Sequence, residues 1–429
     1  MFKGLVHVTE PQPEAIRMTF RRRLLIARAA SISFIGCTLG AQAIGAQSAD
    51  PPRVWPDEGP FTWAPRATQP AIAADDLRTH IYQLAADSMA GRAAGTRGNW
   101  MATEYVASVF RRLGLQPAGE DGYFQEVPVE GAQPEYPARN VIAVLPGSDP
   151  DLRGQYVLVG AHNDHEGLID GQPIDHDALR AFNRVMRPQG ANDRPGEPTP
   201  EQRARIDSLT AYARSIRPPR PDTVMNGADD DASGTGVLLE IAQRFATGLA
   251  PRRSIIFISH AAEEAGLVGS RYFTDNATLP LDSIVAAHNM DMLGNGGVAD
   301  VRFGGPSQVQ MLGARRLSAE FGDAIDSLNA VREETMAIDY SWDRTNALNR
   351  FCRSDQVSYF RRTIPVTYFS TGYSVDYHMP TDEPQYIDYD HSARVGRFVH
   401  EIMSTVANRP TRLAILPPEQ RDMSAQCTR

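Results

Sequence analysis

The chain reads as an α/β protein, a three-layer α/β/α sandwich around a mixed, mostly parallel sheet, and three observations predict it. Short, largely aliphatic runs recur at 141–145, 156–161, 254–259, 283–287 and 364–369, as strands buried on both faces do. Segments with apolar residues at helical spacing alternate with those runs, the pattern of a sheet covered by helices. A 42% hydrophobic content supplies a core. The length of 429 residues fits one large domain with an N-terminal extension.

Taken in chain order, residues 1–46 read as leader and signal peptide. Arg21, Arg22 and Arg23 precede a weakly apolar Ala/Ser/Ile/Gly stretch and then Ala43-Ile44-Gly45-Ala46, so Met18 is placed to start a secretory signal. Export to the periplasm or medium follows. Phe34-Ile35-Gly36-Cys37 is a poor lipidation box, and no lipid anchor at Cys37 is expected. Cleavage near Ala46 leaves Cys352 and Cys427, compatible with one bridge in an oxidising compartment, the pairing itself being open. Residues 47–70, rich in Pro, Ala and Asp, form a linker or N-terminal arm, and 71–409 form the folded domain. Leu77, Ile81 and Leu84, then Tyr105, Val106, Val109, Phe110 and Leu113, predict two leading helices, the second ended by Gly114. Further helices are predicted at 236–245, on Val237, Leu238, Ile241 and Phe245, and at 308–321, on Val309, Leu312, Leu317 and Phe321. Residues 166–224 read as an insertion, polar and proline-rich. Thr199-Pro200-Glu201-Gln202 starts a capped helix there whose Ile206, Leu209, Tyr212 or Ala213, and Ile216 face should dock on the body of the protein. A lid or a restrictor of substrate length is one reading of it, a surface hairpin the other. Residues 410–429 are a C-terminal tail.

The net charge of −9 argues against a nucleic-acid partner, since phosphate binding wants a basic face, and Lys3 is the only lysine. No stretch of about 18 uncharged apolar residues is present to span a bilayer. Composition leaves the oligomeric state open.

The chemistry concentrates where apolar runs end. His162 closes the run at 156–161, and Asp164 two positions later can accept from the imidazole and fix its tautomer. Asp229, Asp230 and Asp231 crowd the start of the next helix. Adjacent like charges repel unless a cation sits among them, and one carboxylate can bridge two metals ~3.5 Å apart. Glu263 and Glu264 follow the run at 254–259 and, as neighbours leaving a strand, point in different directions. Asp291 leaves a third run, and His378 follows a fourth. Ligands at the C-terminal ends of several strands are where open α/β sheets place their sites.

In their order, His162-Asn163-Asp164, Gly227 to Gly234, Glu263-Glu264 with Gly266 to Ser270, Asp291 to Gly294, and Asp376-Tyr377-His378 with Pro380-Thr381-Asp382 resemble the M28 family of zinc aminopeptidases. The resemblance runs from about Leu84 to Asp390. It implies two Zn²⁺ per chain, with cobalt or manganese as possible substitutes. One zinc would take His162, Asp230 and Asp291, and the other Asp230, Glu264 and His378. Glu263 would be the general base, with Asp164 among the catalytic residues. Arg353, Tyr359 and Tyr377 are the candidates for contact with substrate. The implied activity is that of an exported exopeptidase removing N-terminal residues from peptides. A carboxypeptidase or other amide hydrolase on the same fold is the alternative; a single-zinc glutaminyl cyclase and a non-catalytic binding domain follow. His165, His260 and His288 are expected as supporting neighbours of the site, and His165 and His176 lie where they could contact substrate. Two departures concern the pocket: Gln356 stands where the family has histidine, and Phe351 where some relatives have tyrosine. The gap between Phe124 and Val141 is too short for the protease-associated domain that some relatives carry.

Overall fold

The computed structural model describes residues 58–188, 190–295, 305–343, 348–425 and 427. The signal-like segment and Cys37 lie outside the described residues, as do Lys3 and the first part of the expected linker. Nine strands form one mixed sheet. They are β1 (Gln116–Pro117), β2 (Phe124–Glu126), β3 (Arg139–Leu145), β4 (Tyr156–His162), β5 (Ser254–His260), β6 (Ile284–Met290), β7 (Gln308–Leu312), β8 (Ala337–Asp339) and β9 (Val366–Ser370). The spatial order is β1-β3-β5-β4-β6-β9-β7-β8, with β2 also paired to β3. The central four, β5, β4, β6 and β9, are mutually parallel. β3 and β7 run antiparallel to that centre and turn the sheet mixed toward its edges.

Helices cover both faces, and the two-residue period of the strands sends alternate side chains to each layer. Val157, Val159, Ile255, Phe257, Met311 and Phe369 pack on one face against α1 (Ala74–Leu84), α2 (Arg97–Arg112), α5 (Gly234–Thr247), α7 (Ala319–Ala330) and α9 (Tyr389–Asn408). Leu158, Ile256, Ile258, Leu312, Val366 and Tyr368 pack on the other against α6 (Val268–Asp275) and α8 (Gln356–Phe360). The architecture is the three-layer α/β/α sandwich that the aliphatic runs predict.

One element departs from its sequence pattern. Residues 308–321, expected as a helix on Val309, Leu312, Leu317 and Phe321, are instead β7, a turn through Gly313, and the first turn of α7. β7 is paired on both sides, by β9 and by β8. Val309 and Leu312 therefore fall on opposite faces of the sheet, each buried, and a helical spacing was produced by chance where both faces need apolar residues.

Between residues 166 and 224 lie α3 (His176–Met186) and α4 (Pro200–Ile216). Two short antiparallel pairs, 167–168 with 224–225 and 174–175 with 221–222, hold the ends of this segment together. The N-terminus of α4 carries a full capping box: Thr199 Oγ1 accepts from Gln202 N–H, and Gln202 Oε1 accepts from Thr199 N–H at 2.9 Å. Its docking face is narrower than expected. Ala213 is buried against Ala181 and Tyr386 with Ile206 and Leu209 beside them, while Tyr212 and Ile216 stay 44% and 36% exposed. Among the described residues no helix is long and apolar enough to cross a membrane.

Candidate metal centre

Because β4, β5, β6 and β9 are parallel, their C-terminal ends share one edge of the sheet, and the site is built there. His162 is the last residue of β4; Glu263 and Glu264 lie just beyond β5, Asp291 follows β6, and His378 lies beyond β9. Asp230 arrives from the segment 228–233 that leads into α5.

The backbone around Asp230 is held by its two neighbours and by a remote carboxylate. Asp231 accepts from the N–H groups of His162 (3.0 Å), Gly234 (2.9 Å) and Met292 (3.2 Å), joining three segments of the site through one buried side chain. Asp229 accepts from Gly294 N–H at 2.6 Å and from the Asn295 side chain. Burial pushes Asp229 up to about 7, against the pull of those hydrogen bonds. Asp382 accepts from the N–H groups of Asp229 (2.8 Å) and Asp230 (3.1 Å). Asp229 and Asp231 thus turn away from the centre and serve its frame, and Asp382, to which sequence reasoning assigned no role, is a third support.

Asp230 is 3% exposed and divides its two oxygens. Oδ1 lies 3.1 Å from His162 Nε2, and Oδ2 lies 3.1 Å from His378 Nε2. Asp291 Oδ1 is 3.7 Å from His162 Nε2, and Glu264 Oε2 is 3.2 Å from His378 Nε2. All five residues therefore converge. Among the described residues neither His162 Nε2 nor His378 Nε2 has a hydrogen-bond partner despite this proximity. Atoms so close that do not align as donor and acceptor aim at a common point between them, the disposition of donors around a cation. Nitrogen and carboxylate oxygen in mixed sets with room for further ligands suit catalytic zinc. The donor set fits the metal.

The surrounding residues sort themselves by geometry. Asp164 lies 3.7 Å from His162 Nδ1 and accepts from the N–H groups of Glu263 (3.0 Å) and Glu264 (3.3 Å), so it orients three members of the site at once. His165 Nδ1 contacts Glu264 Oε1 at 3.0 Å, close enough to the Asp230 and Glu264 carboxylates to form a donor group with them. Glu166 reaches the outer nitrogen of His378, Nδ1, at 3.2 Å. Sequence reasoning gave Glu166 no role, because no spacing rule links it to a histidine more than two hundred positions on. Burial pushes Glu263 well above the usual carboxylate range, reinforced by Glu264, Asp291 and Asp355 and opposed by His162. Met292 and His378, both at positive φ (64° and 52°), are held in the left-handed region that non-glycine residues avoid.

A cavity of about 420 Å³ opens beside these groups, with Glu166, Glu263, Glu264, Arg353, Tyr377 and His378 on its wall. Tyr377 stacks on the His378 ring at 3.9 Å between centroids and accepts from Arg353 Nη2 at 3.2 Å. Tyr359 is a correction. Its side chain is 1% exposed and its hydroxyl is 2.7 Å from His260 Nε2, so packing of α8 against the sheet directs it into the lower layer, out of reach of the cavity. His176 is corrected likewise: it is buried between Asp222 (2.8 Å) and Tyr386 (3.1 Å). His260 supports Asp355 at 3.3 Å, and His288 is buried against Thr367 with its pKa pushed down to about 3 by desolvation. Gln356 is buried and donates to the Phe351 carbonyl at 2.6 Å, which keeps both departures from the family pattern inside the protein.

Residues 203–403 match the model of peptidase family M28. Over those residues the chain is similar to that family. The chain is 46% identical over 77 residues to aminopeptidase NAALADL1 of Mus musculus, 17% of this chain and 10% of that protein. It is 26% identical over 240 residues to a probable zinc metalloprotease of Pyrenophora teres f. teres (strain 0-1), 53% of this chain and 40% of that protein. The chain therefore spans less than half the length of these curated relatives. Among solved structures, the LapA aminopeptidase of Legionella pneumophila superimposes with a TM-score of 0.51 at 17% identity, covering 79% of this chain and 73% of that one. The glutaminyl cyclase of Porphyromonas gingivalis superimposes with a TM-score of 0.50 at 18% identity, covering 77% and 97%. These structures share the fold of this chain.

Proposed function

We propose that this chain is an exported exopeptidase that holds two zinc ions across Asp230 and removes N-terminal residues from peptides. The observation that carries the reading is the division of the Asp230 carboxylate, with one oxygen 3.1 Å from His162 and the other 3.1 Å from His378. His162, Asp230 and Asp291 would hold one ion, and Asp230, Glu264 and His378 the other; cobalt or manganese could occupy the same cage. When bound, the pair supplies Lewis acidity for the scissile carbonyl and makes water acidic near neutral pH. Glu263, on the cavity wall and with a raised pKa, takes a proton from the attacking water and returns it to the leaving amine as the C–N bond breaks. Asp164 keeps His162 and the Glu263 backbone in register for this. Export is supported by the Cys352–Cys427 disulfide, a bond that persists in oxidising compartments.

The test pairs metal analysis with a substrate panel. Two equivalents of zinc and hydrolysis of aminoacyl-p-nitroanilides, with peptides blocked at the amino terminus left intact, are the expected results. Cleavage of the blocked peptides instead would favour the carboxypeptidase alternative. Glu263→Gln is expected to keep the zinc and to lower kcat by about 10²–10⁴-fold; a smaller loss would remove Glu263 from the role of base. The likeness to a glutaminyl cyclase supports a second reading. One zinc per chain, with cyclisation of an N-terminal glutamine, would establish it over the first.

A further inference from the structure

The cavity is lined by groups of both charges. Glu166, Glu263 and Glu264 share its lining with Arg353, Tyr377 and His378. Carboxylates beside the donor cluster suit the amino end of a peptide. The guanidinium has a different meaning. Among the described residues Arg353 meets no carboxylate: Nη2 donates to the Tyr377 hydroxyl at 3.2 Å, and its carbon lies 4.8 Å from the Tyr373 ring centroid. Other buried arginines are paired with acids, as Arg217 is with Glu58 and Asp177 and Arg180 is with Asp376. Arg353 is instead steadied by two aromatic side chains, which limit the rotamers it must give up on binding a ligand while leaving donors of its planar fork for it. Tyr377 connects it to His378 through ring stacking, so the cation lies within one tyrosine of the donor cluster.

We infer that Arg353 binds a carboxylate of the substrate on the leaving side of the scissile bond, which makes the preferred substrates short peptides bearing an anion there. The inference rests on the peptidase reading above and names its substrate class. Two sources carry the same chemistry: the C-terminal carboxylate of a dipeptide, and an acidic side chain on the residue after the cleaved bond. A guanidinium–carboxylate contact is bidentate and charge-assisted, and its loss is read as a change of roughly tenfold or more in kcat/KM, chiefly in KM. An arginine that acted on the oxyanion would lower kcat on every substrate by one common factor.

The experiment uses the full zinc-loaded chain with Leu-Ala, Leu-Ala-amide, Leu-Asp-amide and Leu-Asn-amide. Alongside these, calorimetry measures binding of the reduced-amide analogue of Leu-Ala, with a free carboxylate and with a carboxamide. A preference of tenfold or more for Leu-Ala over its amide assigns the main-chain carboxylate; the same preference for Leu-Asp-amide over Leu-Asn-amide assigns the side chain. In Arg353→Met the preference is expected to collapse to within twofold, and in Arg353→Lys to survive in part. Equal rates on all four substrates, a preference that persists in Arg353→Met, or an equal loss of kcat on all four with the preference kept would each overturn the inference. If no substrate turns over, the peptidase reading falls separately, and the calorimetric pair still decides whether Arg353 holds a carboxylate.

Discussion

Asp382 acts on the centre through the main chain: its two oxygens accept from the N–H groups of Asp229 and Asp230. Supports of this kind set the orientation of a ligand, and losing one typically weakens metal binding 10–100-fold. Asp382→Ala is therefore expected to lower zinc affinity by about that factor in a chelator competition, with Asp382→Asn recovering part of it; an unchanged affinity would make Asp382 a packing residue. His162, Glu264 and Asp291 were legible in the sequence because each sits within a few residues of a strand end, and Asp230 because three carboxylates crowd the start of α5. Tyr359 was not, since its direction is decided by how α8 lies on the sheet and by His260 beneath it. Away from the site, burial pushes His80 down to about 3, with Arg112 adding to it, and pushes Glu240 up to about 9, so the two form a neutral hydrogen-bonded pair at 3.1 Å. Between about 4.5 and 9 the unfolded chain releases the Glu240 proton while the folded one keeps it, and stability falls as pH rises through that window. The His80 contribution has the opposite sense, being lost as pH falls from 6.5 toward 3. Glu240→Gln removes the first limb. In urea titrations it should gain on the wild type by on the order of 1–3 kcal/mol between pH 5 and pH 8, and a difference independent of pH would refute the assignment.

Between residues 166 and 224, α3 acts as a brace. Arg180 on α3, 1% exposed, meets Asp376 at 2.5 Å and lies 3.2 Å over the Tyr386 ring, and Asp376 also accepts from Thr381. Asp376 is two residues before His378, so the helix reaches the centre through the loop that presents its last donor. Removing one partner of a buried pair leaves the other charge uncompensated, at a cost of about 3–5 kcal/mol. Arg180→Met should lower the melting temperature and the zinc content together, and Arg180→Met with Asp376→Asn should restore much of the stability. If zinc content stays whole in the single variant, the helix stabilises the fold without bracing the site. The capped start of α4 was legible because Thr199, Pro200 and Gln202 act locally. The strand at 308–312 was not, because its pairing with β9 and β8 is a long-range choice that overrides a helical spacing of four apolar residues.

At the scale of the whole molecule, the Cys352–Cys427 bridge ties the wall of the cavity to the end of the described chain, 75 positions away. The segment before Cys427 is otherwise held by scattered contacts: Leu416 N–H donates to the Leu317 carbonyl at 2.8 Å, Asp422 N–H to the Arg316 carbonyl at 3.0 Å, and Arg361 reaches the Cys427 carbonyl at 2.8 Å. Few of its side chains are buried, Leu413 and Ala425 among them. A crosslink over a loop of that size restricts the unfolded chain and typically stabilises by about 2–4 kcal/mol. Replacing both cysteines by serine, or reducing the bond, is expected to lower the melting temperature by roughly 3–5 °C for a chain of this size. Because Arg353 follows Cys352 directly, the same change should raise KM more than it lowers kcat. An unchanged melting temperature with altered kinetics would make the bridge a device of the cavity alone, and a lowered melting temperature with intact KM would make it a clamp on the tail.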